Sequence, residues 1–226
     1  PDLFETDDFG LAARRPSPLT KLPPFVGDQL QADLCGGALA IQACADDPQI
    51  AFHAVRNLSR IAFGRAQIRW SQLGFGRTAR TTADQATPRN LFGFRDGTAN
   101  VLGDDTEAMD EHIWVRAGQD QDWMTGGTYL AVRNIRQRME TWDRLRLIEQ
   151  QAIFGREKGT GGPLTGGDEF APLKFHEQGP DGKPVIDPDS HVARAHPDNN
   201  SGIRLLRRGY NFVNGNNEVG ALSAGL

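Results

Sequence analysis

Two long stretches without any hydrophobic period, residues 76–111 and 155–188, constrain this chain more than any segment that has one. Connections of that length inside a compact domain usually carry function or cover something. Gly at 26 and Pro at 13 supply the turns that such connections need. No internal repeat is visible, so a solenoid or propeller array is not indicated.

Between the loops lie short periodic segments. Residues 1–30 read as an irregular, Pro-rich lead-in. Residues 37–45 (GALAIQACA) read as a buried strand. Asp47 is a good N-cap and Pro48 suits the first helical position. Ile50, Val55, Leu58 and Ile61 then fall near one helical face, predicting a helix to about Ala62. Residues 66–75, 112–116 and 128–135 read as strands. Met139, Trp142, Leu145, Ile148 and Ile153 predict a second helix ending near Gly155, and 203–212 reads as a last strand. The order β-α-β, loop, β-β-α, loop, β favours an α+β fold of ferredoxin-like halves over a doubly wound sheet. No GxGxxG opens a helix after a strand, and no GxxxxGK[ST] occurs.

Composition narrows the partners. With 25 Lys+Arg against 29 Asp+Glu, the net charge of −4 gives no electrostatic footprint for nucleic acid. No apolar run approaches the ~20 residues of a membrane helix. Two cysteines, Cys35 and Cys44, cannot build a disulfide framework or a four-ligand zinc site. The opening PDLFETDDFG has no charged n-region and no apolar h-region, which leaves the compartment open.

Three segments could carry chemistry. In NLFGFRDGTAN, residues 90–100, Gly93 and Gly97 flank Phe94-Arg95-Asp96 and would let backbone approach a bulky ligand closely. Asp-Gly is equally an ordinary turn signal. His191 and His196 lie in SHVARAHP, five apart, which does not match HExxH; His191 as a metal ligand and His191 as a bystander both stand on spacing alone. In LLRRGYNF, Arg207 and Arg208 alternate, so one would face inward, where an unpaired charge is costly. His53, His112 and His176 read as bystanders, and the tryptophans and tyrosines as core rather than electron relays.

In this order, GFRDG, SHVARAHP and LLRRGYNF resemble the dye-decolourising peroxidases, a family of b-type haem enzymes. The flanking GGALAIQACADDPQIAFHAVRNLSRIA and GGTYLAVRNIRQRMETWDRL carry the same likeness, closest to the secreted, twin-arginine-exported branch that includes deferrochelatase-type members. The resemblance implies two ferredoxin-like halves with packed antiparallel sheets, of the dimeric α+β barrel type. The divisions would be an N-terminal half over 1–75, a GxxDG haem-pocket loop over 76–111 and a haem-binding half over 112–226. It also implies more chain before Asp2 and after Leu226.

For the site, the resemblance puts His191 as the proximal ligand of one non-covalent haem b per chain. It puts Asp96 as distal acid and base, and Arg207 as the stabiliser of developing charge. Gly97, Thr98 and Ala99, then His196, Pro197 and Asp198, would contact the haem, and Arg207 could reach a propionate. Hydrogen peroxide and aromatic donors or dyes would be the reactants, with homo-oligomerisation left open and an extracytoplasmic location. Release of iron from haem, and a haem-free binding or structural module, are the competing readings.

Overall fold

The computed structural model describes every residue except Pro1, Thr6 and Glu218. The chain divides into two compact units, one of residues 1–73 with 115–129, the other of 74–114 with 130–226.

The first unit holds one long helix, α1 (Pro48–Ile61). It starts as expected: the Asp47 carboxylate accepts from the Gln49 amide at 2.8 Å, and Pro48 fills the first turn, where a missing N–H costs nothing. Its end also agrees, with Ala62 as the C-cap. Around α1 the backbone is irregular. Side chains tie it down: Arg69 Nε donates to the Cys35 carbonyl at 2.7 Å and Trp70 Nε1 to that of Gly36 at 3.2 Å. Residues 115–129 close on themselves through the Val115 amide to the Gly127 carbonyl and the Gly126 amide to the Val115 carbonyl.

The second unit carries α2 (Thr106–His112), β1 (Arg136–Gln137), α3 (Met139–Trp142), α4 (Leu147–Phe154), α5 (His191–Ala195), β2 (Phe212–Asn216) and β3 (Leu222–Gly225). The strands form one antiparallel sheet in the order β1-β3-β2. Arg136 and Phe212 both pair with Gly225, and the β2–β3 register slips between Val213 and Asn216. A Cβ at Gly225 would overlap the Ile135 carbonyl, so glycine is what lets the neighbouring chain come this close. One small core joins Val101, Ala108 and Met109, with Ile113 and Leu206 packed against it. A second is aromatic: Phe94 stacks on Phe154 at 4.0 Å, with Phe92 and Trp142 closing around them.

The expected barrel of two packed sheets is not what forms. The structure is mixed α+β, but its three-stranded sheet is open and does not close on itself. Most of the segments expected as strands run as irregular chain: 37–45, 66–74, 128–135 and 203–210. A single bridge, Phe75 to Asn211, marks the meeting of two of them. His112 ends α2 rather than opening a strand. The cause is physical: alternation of apolar residues specifies an extended chain, but a strand also needs a neighbour at ladder distance. The helix expected over 139–153 is two helices. Arg146 adopts extended geometry, and its amide is satisfied by Glu149 at 2.8 Å, so a fresh start at Leu147 replaces continuation. Among the described residues no helix is long and apolar enough to cross a membrane.

Candidate active site

The loop of residues 90–100 lies in the second unit and is built around a tight turn. The Gly93 amide donates to the Asn90 carbonyl at 2.9 Å, and the Asn90 amide donates to the Phe94 carbonyl at 3.0 Å. Gly93 sits at φ 81°, a conformation that favours glycine. Phe94, 2% exposed, plugs into the aromatic core and anchors the loop. Past Asp96 the chain turns again at Gly97, φ 90°, where a Cβ would lie 2.7 Å from Ala79 Cα and 2.7 Å from the Arg80 nitrogen. No side chain fits there.

Asp96 is thereby held half-buried. Asn90 Nδ2 donates to its Oδ2 at 3.1 Å, and the Gly97 amide donates to the same carboxylate. Burial pushes its pKa above the ordinary 3.8; the Asn90 bond, the charges of His191 and Arg207 and the Gly97 amide pull the other way without prevailing.

His191 is the first residue of α5. Ser190, 2% exposed, caps that helix by accepting from the Ala193 amide. The imidazole leans on Phe154 with ring centroids 5.4 Å apart. Gly155, φ 81°, ends α4, and a Cβ there would sit 2.5 Å from Val192 Cγ2 and 3.0 Å from Ser190 Oγ. This glycine therefore lets α4 approach the helix that carries His191. Solvent reaches the His191 side chain, yet enough protein surrounds it that desolvation lowers its pKa below 6.5. Asp96 counteracts the fall and Arg207 adds to it.

Arg207 reaches the same place from the C-terminal side. Its backbone is clasped by one side chain: Asn100 Oδ1 accepts from the Arg207 amide at 2.8 Å, and Asn100 Nδ2 donates to the Arg207 carbonyl at 3.1 Å. Asp96, His191 and Arg207 thus come from three separated segments and feel one another's charge.

The other expected contact residues divide. Gly97 and Thr98 adjoin Asp96, but the Thr98 hydroxyl is engaged in donating to Glu169 at 3.1 Å; Ala99 is exposed. His196, Pro197 and Asp198 form a local cap after α5, where His196 Nδ1 accepts from the Asp198 amide at 3.3 Å and its ring meets Phe175 edge-on. Trp142 lies in the core, as aromatics usually do, whereas Trp114 and Trp123 are exposed.

Sequence reasoning missed four supports. Asn90 and Asn100 bound the segment singled out above, yet neither was assigned a role; polar residues bracketing a glycine-rich turn were the available signal. Glu169 binds both neighbours of the Asp96 turn, taking Arg95 Nη1 at 3.1 Å as well as Thr98. Arg156, largely buried, donates to the carbonyls of Gly161 and Glu169 at 2.8 Å each. The last two arise from the long 155–188 connection, where no period directs attention.

An open α+β scaffold brings an acid, an imidazole and a guanidinium within electrostatic reach of one another, a grouping whose chemistry suits acid–base work. The sequence likeness makes the class specific. Residues 87–226 match the Dyp-type peroxidase C-terminal family and residues 1–76 its N-terminal counterpart. The chain belongs to the Dyp-type peroxidase family. It is 39% identical over 216 residues to a dye-decolorizing peroxidase of Thermobifida fusca, covering 94% of this chain and 50% of that protein. It is 40% identical over 229 residues to a deferrochelatase of Escherichia coli, covering 99% of this chain and 53% of that protein. A crystal structure of a DyP-type peroxidase from Streptomyces coelicolor superimposes with a TM-score of 0.88 at 35% identity, over 96% of this chain and 58% of that one. DtpA from Streptomyces lividans, solved as an oxyferrous/water mixed complex, gives 0.88 at 36% identity, over 96% and 59%. The chain spans about half the length of the curated relatives it matches.

Proposed function

We propose that this chain contributes the haem-binding and distal residues of a peroxidase that reduces hydrogen peroxide and oxidises aromatic donors. The supporting observation is the convergence of Asp96, His191 and Arg207, each of which the others' charge reaches.

The donor set suits a haem. Among the described residues no group of three or more His, Cys, Asp and Glu could hold a free metal ion. A haem iron needs only one axial imidazole from the protein. His191 meets that need, because burial favours its neutral, ligating form. When bound, haem supplies the redox chemistry and the protein supplies placement, protons and charge.

Asp96 then takes a proton from one peroxide oxygen and returns it to the other, as general base and then general acid. Burial suits it to this cycle, since a raised pKa makes both forms accessible nearer neutrality. Asn90 and the Gly97 amide hold the carboxylate in one orientation. Arg207 stays protonated and stabilises negative charge developing between the oxygens. The Gly97, Thr98 and Ala99 backbone on one side, and His196, Pro197 and Asp198 on the other, are the candidate contacts for the cofactor's carboxylates.

The family resemblance also leads us to place the working protein outside the cytoplasm. A second reading, removal of iron from haem, is favoured by the 40% identity to a protein named deferrochelatase. Absorption spectra of the haem-reconstituted chain, before and after one equivalent of peroxide, test both. A Soret band lost in His191→Ala, with peroxide turnover reduced about 100-fold or more in Asp96→Asn and Arg207→Leu, is the peroxidase outcome. Metal-free porphyrin appearing without peroxide is the deferrochelatase outcome. Full turnover in both distal variants would overturn the roles given to Asp96 and Arg207.

A further inference from the structure

We infer that Asn100 is the positioning residue of the distal pair, its carboxamide fixing the Arg207 backbone against the loop that carries Asp96. The inference rests on the peroxidase reading of Asp96 and Arg207.

Residues 203–210 form no strand, and the nearest main-chain pairings, Thr78 to Gly209 and Phe75 with Asn211, stop two residues short of Arg207. Among the described residues, both hydrogen bonds of Arg207 go to the Asn100 side chain, amide to Oδ1 and carbonyl to Nδ2. A carboxamide offers one acceptor and two donors. Here it stands where a neighbouring strand's peptide would, giving and taking one bond as a paired residue does. The second Nδ2 donor goes to the Arg80 carbonyl at 2.9 Å. The backbone amide of Asn100 donates to the Gly97 carbonyl at 3.1 Å, closing the turn that begins directly after Asp96. Asn100 is 6% exposed, and every polar group of its side chain is spent on backbone. One buried side chain therefore locks three segments together: residues 80, 96–100 and 207. Arg207 has a long, exposed side chain, so its backbone is what the fold can set. Aspartate would keep the acceptor but face two carbonyls without a donor, and alanine would lose all three bonds.

Two measurements on the full 226-residue chain test this. In the haem-free chain, Asn100→Ala should speed amide exchange at Arg207 by about tenfold or more, while the Gly155 amide, bonded to Gln151 at the end of α4, keeps its protection. In the haem-reconstituted chain, Asn100→Ala should lower peroxide turnover about 10–100-fold, with the Soret band retained. Added to Arg207→Leu, the same change should cost less than about 2-fold more, because it acts through the group already removed. Asn100→Asp serves if the alanine variant does not fold, with the same non-additivity expected. Unchanged exchange at Arg207, or additive losses, would overturn the inference and leave the peroxidase reading standing. Full turnover in Arg207→Leu alone would sink that reading, and this inference with it.

Discussion

Asp96 is pulled both ways, and burial wins. A carboxyl whose folded pKa lies above 3.8 binds its proton more tightly folded than unfolded. Its contribution to stability is therefore fullest below pH 3.8 and is lost as pH rises through the folded value. Asp96→Asn should accordingly melt higher than the parent chain at pH 7, with the gain vanishing near pH 3; calorimetry at the two pH values checks this. His191 runs the opposite way. Its folded pKa lies below 6.5, so its cost is absent above pH 6.5 and grows as pH falls toward the folded value. In the rate profile, the acid limb set by Asp96 should have its midpoint above 3.8. Asn90→Ala should move that limb further up, since the lost donor had favoured the carboxylate. A limb that stays in place would show that Asn90 does not govern this proton.

Helices were legible where the signal is local. Asp47 and Pro48 announce α1 because an N-cap acts within one turn. Asp47→Ala should cost about 1 kcal/mol of helix stability, seen as faster exchange at the Gln49 amide. The break between α3 and α4 was not legible, since the apolar spacing continues through it and only the Arg146–Glu149 cap reveals the restart. Strands were the least legible, because the partner of an extended segment is not written in the segment. The pattern of Leu39 and Ile41 is strand-like, yet both are exposed on irregular chain. Of the site, the residues with distinctive chemistry stood out, while the asparagines that hold them did not, because Asn is common in turns. Gly155 carries the sharpest consequence at this scale. Gly155→Ala would put a side chain at φ 81° and into Val192, costing about 1–3 kcal/mol. It should also weaken haem uptake by shifting the start of α5, measurable by titration of the Soret band.

Across the described residues, large apolar side chains stand open in both units: Leu39, Phe63 and Leu73 in one, Leu130, Ile203 and Leu205 in the other. Exposure on this scale makes a surface prone to association. The 226 residues alone should bind a hydrophobic dye and self-associate at micromolar concentration, and sedimentation across a dilution series checks both the association and its reversal. The bonds from Asn100 to Arg207 span 107 residues. Closing so long a loop is slow and gains nothing until both ends are in place, whereas the turns of α4 close within a few residues. In refolding, the Asn100–Arg207 clasp should therefore mature after α4, with the Gly155 amide protected early and the Arg207 amide late in pulse labelling. Cofactor capture would then act as a checkpoint, accepting only chains that have already closed this 107-residue connection.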